Sequence, residues 1–173
     1  IWYSSPCNPS GSVYNREELT ALANVLEKYP NIYIVSDEIY EHINFSGTFC
    51  SIASIPGMFE RTITVNGVAK AFAMTGWRIG YIGAPEIIAK ACTKMQGQVT
   101  SGANSIAQRA TITAVDADPS VLNEMVAAFK NRRDLVVGLV KDIPGFKLNV
   151  PEGAFYVFPD VSYYFGKTLR GKL

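Results

Sequence analysis

Four short, mainly apolar runs divide the first half of the chain, at residues 1–4, 32–35, 62–65 and 79–82. Runs of this length fit strands better than helices. The run at 32–35 is rich in β-branched residues and is soon followed by Asp37-Glu38, which is typical of a strand buried on both faces. A helical pattern lies between the first two runs. This order of elements predicts an α/β domain with a mostly parallel sheet and flanking helices.

The first helical pattern has a defined starting point. Asn15 and Glu18 have the spacing of a capping box, and leucines at helical spacing follow them. Three further helices are predicted, from Pro85 to about Gln98, from Ile106 to Val115, and from about Pro119 to Asp142. The rest is assigned to a loop at 41–60 and to strand-like pieces at 146–150 and 155–158.

The last predicted helix is long enough to connect two domains. We therefore assign residues 1–118 to one α/β domain, and residues 119–173 to the connecting helix and the start of a small α+β domain. The chain opens on Ile1-Trp2-Tyr3, which resembles the middle of a buried strand, and it lacks an initiator methionine. We expect it to be a fragment of a longer protein.

Composition argues against several classes of protein. The 16 Lys and Arg residues are balanced by 15 Asp and Glu, unlike the basic surfaces that bind nucleic acids or membranes. Hydrophobic residues make up 48% of the sequence, which is typical of a globular protein and not of a disordered one. No apolar run approaches the roughly 18 residues of a membrane span. Three cysteines without a CxxC pair predict a reduced, cytoplasmic protein. The single histidine, His42, disfavours zinc sites and histidine-dependent hydrolases.

Lys70 is the first candidate for chemistry, because it is the only charged residue between Thr62 and Trp77. An apolar environment disfavours the charged form of an amine. A neutral amine can form a Schiff base with an aldehyde. The same sequence context also fits a surface lysine in a mobile loop, so both interpretations remain open at this point.

Four other residues have side chains that suit a ligand. Asp37 follows a predicted strand, where a carboxylate can meet a ligand cation such as a protonated pyridine nitrogen, and Tyr40 lies close behind it. Arg78 can bind a phosphate through its planar fork. Asn8, in a proline-flanked loop, can donate a hydrogen bond to a ligand oxygen. Each also has a structural alternative, which is a turn for Asp37 or Asn8 and a salt bridge for Arg78.

A strand that ends in Asp37-Glu38 also resembles the Walker B motif of nucleotide hydrolases. Such an enzyme needs a GxxxxGK[ST] loop. Gly166-Lys167-Thr168 supplies the last three positions, but residue 161 is Val and the segment follows the candidate strand instead of preceding it. The sequence therefore disfavours a nucleotide hydrolase.

Taken together, the candidate residues fall in three linked motifs, Pro6-Cys7-Asn8-Pro9-Ser10-Gly11, Ser36-Asp37-Glu38-Ile39-Tyr40 and Val68-Ala69-Lys70 through Arg78-Ile79-Gly80. In order and spacing they resemble the NPxG, DExY and SK…RxG signatures of the class I and II aminotransferases of fold type I, the aspartate aminotransferase family. The segment from Pro151 to Tyr156 looks like the start of that family's small domain. Gly67 replaces a family serine, so the hydroxyl that contacts the phosphate there is missing.

The resemblance implies the large domain of a pyridoxal-phosphate-dependent transferase and assigns a role to each candidate. Lys70 would form the Schiff base with pyridoxal 5′-phosphate and then move a proton. Asp37 would keep the pyridine nitrogen protonated, Tyr40 and Asn8 would donate hydrogen bonds to the 3′ oxygen, and Arg78 would bind the phosphate. An amino acid and a 2-oxo acid would be the substrates of a homodimer. The alternatives are a β-lyase on the same fold and a sensor domain of a transcription regulator.

Overall fold

The computed structural model describes residues 1–168 and has one four-stranded sheet in the order β1-β2-β3-β4. The strands are β1 (Trp2–Ser4), β2 (Ile34–Asp37), β3 (Thr62–Asn66) and β4 (Tyr81–Gly83). The first three strands are parallel and β4 is antiparallel to β3. The predicted α/β class with a mostly parallel sheet is therefore confirmed.

Two strand boundaries differ from the prediction. The run at 32–35 forms a strand only from Ile34, because pairing with β3 begins there, and it continues through Asp37. The run at 79–82 pairs from Tyr81 to Gly83. The connection from β3 to β4 holds only the single helical turn Val68–Ala71 and the 3₁₀ turn Thr75–Trp77, and β4 returns antiparallel to β3.

The described residues contain five α-helices, four of them close to predicted positions and one, at residues 68–71, that was not predicted. They are α1 (Arg16–Leu26), α2 (Val68–Ala71), α3 (Glu86–Val99), α4 (Ser105–Val115) and α5 (Asn123–Lys141). The capping box of α1 is confirmed, since Glu18 N donates to Asn15 Oδ1 at 2.8 Å and Asn15 N donates to Glu18 Oε2 at 2.9 Å. The first turn predicted for the last helix is instead a separate 3₁₀ turn, Pro119–Leu122.

The segment 41–60, predicted as a loop, contributes to the main core. It contains the 3₁₀ turn Ile52–Ser54, and the turn Phe59–Arg61 overlaps its end. Ile52, Ile55 and Met58 are buried against the apolar face of α1 and against Ile34. Single 3₁₀ turns have no extended hydrophobic period, which is why the sequence pattern did not indicate them.

The strand-like pieces predicted at 146–150 and 155–158 were wrong. Among the described residues, Lys147 of the first piece forms an isolated bridge with Asp160, and residues 155–158 of the second piece form neither a strand nor a bridge. A single bridge lacks the neighbouring pairs that extend a ladder. Residues 169–173, at the end of the predicted second domain, lie outside the described residues.

A second, smaller core brings the segment after α5 back to the sheet. Tyr40, Ile43 and Ala154 are buried together, with Phe129 of α5 packed against them. This core positions residues 151–156 next to the carboxyl ends of the parallel strands. Of the helices in the described part of the chain, none combines the length and apolar character that crossing a membrane requires.

Candidate functional site

Three loops leave the same edge of the sheet because β1, β2 and β3 are parallel. Ser4 lies beside Asp37 in the register, and Asp37 lies beside Val65, so the three carboxyl ends are level. The loop that contains Asn8, the residues after Asp37 and the turn that contains Lys70 therefore begin side by side. This is the edge at which open α/β sheets bind ligands.

Lys70 lies on the single helical turn α2 and is half-buried. Its Nζ is 5.9 Å from the centre of the Tyr40 ring and 5.7 Å from the centre of the Phe155 ring. The lysine therefore lies on a packed helical turn next to an adjacent pair of aromatic rings, and the interpretation as a lysine in an open surface loop is not supported.

A series of polar contacts fixes the start of the turn that carries Lys70. Gly67 N, just before α2, donates to Asn66 Oδ1 at 2.7 Å, and Asn66 Nδ2 donates to Glu41 Oε1 at 2.8 Å. His42 Nε2 lies 3.3 Å from the same Glu41 oxygen. Burial raises the pKa of Glu41, but the bonds from His42 and Asn66 outweigh it, and the pKa of Glu41 is lowered. The bond with Glu41 raises the pKa of His42.

Asn8 and Tyr40 meet through a residue from the far end of the chain. Asn8 Nδ2 donates to the hydroxyl of Tyr156 at 3.2 Å, and the hydroxyls of Tyr40 and Tyr156 are 2.5 Å apart. Tyr40 is only 4% exposed. Its pKa is raised, first by burial, then by the hydrogen bond and charge of Tyr156, and also by the negative charge of Asp37.

The two acidic residues at the end of β2 have different surroundings. Asp37 is half-buried, and its Oδ1 accepts a hydrogen bond from Ile39 N at 3.2 Å. Glu38 is 3% exposed, and its Oε1 accepts hydrogen bonds from Ser36 Oγ at 2.8 Å and Ser51 Oγ at 2.6 Å. Burial raises the pKa of Glu38, although these two bonds oppose it. Asp37 is therefore the carboxylate open to a ligand, whereas Glu38 is part of the interior.

Arg78 is exposed. It has a left-handed backbone, with φ of 52°, and its Nη1 donates to Thr75 O at 2.9 Å. With Trp77 and Asn104 it lines an open cavity of about 560 Å³. Among residues 1–168 it forms no ion pair, so the alternative of a structural salt bridge is not observed. The structure thus brings Asn8, Tyr40 and Lys70 together, with Asp37 at the adjoining strand end.

The sequence did not identify two residues of the site, Phe155 and Tyr156. The motif that starts at Pro151 was the available signal, but it indicated only the beginning of another domain. The contact with Asn8 spans 148 residues, and it depends on a close backbone approach. Gly11 O accepts hydrogen bonds from Glu152 N at 2.8 Å and from Gly153 N at 3.0 Å.

Known protein sequences resemble this chain over nearly its whole length. The profile of the family described as aminotransferase class I and II matches residues 1–170. An aspartate aminotransferase of Pinus pinaster is 50% identical over 166 residues, which are 94% of this chain and 34% of that protein. A bifunctional aspartate aminotransferase and glutamate/aspartate-prephenate aminotransferase of Petunia hybrida is 48% identical over 96% of this chain and 36% of its own length. The chain thus spans about a third of the length of these two relatives.

Solved structures lead to the same result. The aspartate aminotransferase of Rhizobium meliloti superposes with a TM-score of 0.94 at 42% identity, covering 99% of this chain and 44% of that one. The aspartate aminotransferase of Thermus thermophilus, solved with maleate, superposes with a TM-score of 0.86 at 41% identity, covering 95% of this chain and 43% of that one. With the family profile matching nearly from end to end, the chain belongs to the class I and II aminotransferases.

Proposed function

We propose that this chain is part of an aspartate aminotransferase that holds pyridoxal 5′-phosphate on Lys70. Members of the family depend on this cofactor. The observation that carries the proposal is the convergence of the Lys70 amine with the polar side chains of Asn8 and Tyr40 at one edge of the sheet. The chain spans less than half of its relatives, so the activity is proposed for the full-length protein.

The groups at this edge fit the chemistry of the cofactor. Lys70 supplies a primary amine for the aldehyde carbon, and Asp37 supplies a carboxylate for the ring nitrogen. Asn8 and Tyr40 supply an amide and a hydroxyl for the phenolic oxygen. Arg78 is exposed and lines a cavity wide enough for a phosphate, which its planar fork can bind through two parallel bonds. When bound, the cofactor supplies an electron sink for charge that develops at the substrate Cα.

Each residue of the chain then has a defined task. Lys70 Nζ would hold the cofactor and, once released, would carry a proton between the substrate Cα and the cofactor carbon to which Nζ had been bonded. Asp37 keeps a proton on the ring nitrogen through its negative charge. Tyr40 and Asn8 fix the ring by donating hydrogen bonds to its oxygen, and burial keeps the Tyr40 hydroxyl protonated.

The relatives indicate the class of substrate. The Thermus thermophilus enzyme is solved with maleate, a dicarboxylate, and the relatives named above carry aspartate in their names. We therefore propose a dicarboxylic amino donor such as aspartate and a 2-oxo acid acceptor. Prephenate is a second candidate acceptor, because the relatives from Petunia hybrida and Cereibacter sphaeroides are named for it.

Three further proposals concern the whole protein. Residues 1–118 would belong to its large domain and residues 119–173 to the connecting helix and the start of the small domain, which agrees with the start of α5 at Asn123. The turn at 100–104 would face a second subunit of a homodimer. A cytoplasmic location is supported by the three cysteines, which are all unpaired in the described residues.

A β-lyase and a regulatory sensor domain remain as contrasting outcomes. The decisive experiment incubates the full-length protein with aspartate and 2-oxoglutarate and measures glutamate, oxaloacetate and ammonia. We expect glutamate and oxaloacetate in equal amounts, their loss in Lys70→Ala, and their retention in Lys94→Ala, where the lysine is exposed on α3. Ammonia as the main product would favour the lyase, and cofactor binding without either product would favour the sensor.

A further inference from the structure

We propose that Tyr156 is a positioning residue that directs the Tyr40 hydroxyl and the Asn8 amide toward the phenolic oxygen of the cofactor. This inference rests on the proposed function. It adds a residue from the segment after α5 to a site otherwise built from the loops at the sheet edge.

The hydrogen-bonding capacity of the three groups defines the arrangement. A tyrosine hydroxyl has one donor and two acceptor positions, and an asparagine amide nitrogen has two donors. Asn8 uses one N–H on the Tyr156 hydroxyl at 3.2 Å, which leaves the second N–H for a ligand. The hydroxyls of Tyr40 and Tyr156 are 2.5 Å apart, and either can donate to the other. Once a ligand oxygen accepts the Tyr40 proton, Tyr156 donates its own proton to the Tyr40 oxygen.

The reverse arrangement does not serve the site. If Tyr40 donated to Tyr156, the Tyr40 proton would be used in that hydrogen bond. The Tyr40 hydroxyl would then offer the ligand only lone pairs. An anionic phenolic oxygen would repel those lone pairs. Tyr156 therefore donates to Tyr40, the outer bond, and Tyr40 donates to the ligand, the inner bond. We call these two hydrogen bonds in series the relay.

Packing keeps Tyr156 in place. Its ring meets the Tyr40 ring edge-on, with centroids 5.7 Å apart and planes at 85°. Ala154 has a left-handed backbone, with φ of 57°, and its N donates to Ile43 O at 2.7 Å, which turns the chain back toward the site. A left-handed alanine is uncommon and is kept only where the surroundings hold it.

The test uses the full-length protein and the variant Tyr156→Phe, which keeps the ring and removes the hydroxyl. The readouts are the dissociation constant for pyridoxal phosphate and the pH midpoint at which its visible absorption changes. Losing one relay bond should weaken cofactor binding about tenfold. It should also move the midpoint upward, because the deprotonated form of the bound cofactor loses support at its oxygen. The control Tyr163→Phe, at an exposed ring of the same segment, should change neither readout.

A double-mutant cycle separates positioning from general packing. In a Tyr40→Phe background, Tyr156→Phe should move the midpoint far less than in the wild type, because the relay has already lost its inner donor. Equal shifts in both backgrounds would overturn the inference, and so would wild-type binding and midpoint in Tyr156→Phe. If the wild-type protein itself bound no pyridoxal phosphate, the proposed function would fall together with this inference.

Discussion

Gly153 is a position where a single added methyl group should disturb the site. A Cβ added there would lie 2.6 Å from Pro6 Cβ, 2.8 Å from Pro6 Cγ and 2.9 Å from Ile43 O. Carbon atoms are in favourable contact at about 3.5–4.0 Å. Gly153→Ala must therefore open the junction by about 1 Å, between a rigid proline ring and a backbone carbonyl.

The cost has two parts. Overpacking of this size costs about 1–3 kcal/mol. The same displacement stretches the bonds from Ala154 N to Ile43 O, 2.7 Å, and from Gly153 N to Gly11 O, 3.0 Å. A net backbone hydrogen bond is worth about 0.5–1.5 kcal/mol. Partial loss of both bonds brings the expected decrease in the free energy of unfolding to about 2–4 kcal/mol.

Urea unfolding of the full-length protein measures this decrease. Gly138→Ala in α5 is the matched control, because nothing lies within 4 Å of its added Cβ. Alanine should stabilise that helix by about 0.5–1 kcal/mol, so the two variants should change stability in opposite directions. Gly153→Ala should also weaken pyridoxal-phosphate binding, because Tyr156 moves with the junction. A Gly153→Ala protein within about 0.5 kcal/mol of the wild type would refute this account of the junction.

Two further predictions concern charge. Asp37→Ala should bind pyridoxal phosphate about 10–100-fold more weakly, as expected for a lost charged hydrogen bond, and should lose most turnover; near-native values would remove Asp37 from the mechanism. The contact between His42 and Glu41 should stabilise the fold while both are charged. Because the folded pKa of His42 is raised, its contribution is present below the unfolded value of about 6.5 and is lost as the pH rises through the folded value. Because the folded pKa of Glu41 is lowered, the contribution of the contact is also lost as the pH falls through the folded pKa of Glu41. The difference in free energy of unfolding between wild type and His42→Gln should therefore be largest at a pH between the folded pKa of Glu41 and the folded pKa of His42. A difference that does not vary with pH would contradict this prediction.

Local chemistry explains what the sequence could predict. The capping box of Asn15 and Glu18 needs only four consecutive residues, and the parallel strands follow from short apolar runs separated by a helix. The polar residues after β1, β2 and β3 had to meet at one edge once those strands were parallel.

The features that sequence missed depend on contacts between distant parts of the chain. Tyr156 joins Asn8 only because the segment after α5 folds back against Gly11, and no periodicity records such a contact. Ile52, Ile55 and Met58 are buried against α1, although the pattern of their segment resembles a loop. Arg78 is exposed and has a left-handed backbone, which its sequence neighbours did not indicate.

Covalent trapping tests the central assignment most directly. The full-length protein would be loaded with pyridoxal phosphate, reduced with borohydride, digested and analysed by mass spectrometry. The account predicts one modified peptide, the one that contains Lys70, with loss of the label in Lys70→Ala and retention in Lys94→Ala. A reducible label on any other lysine, or a label that persists in Lys70→Ala, would contradict the assignment of Lys70 as the residue that holds the cofactor.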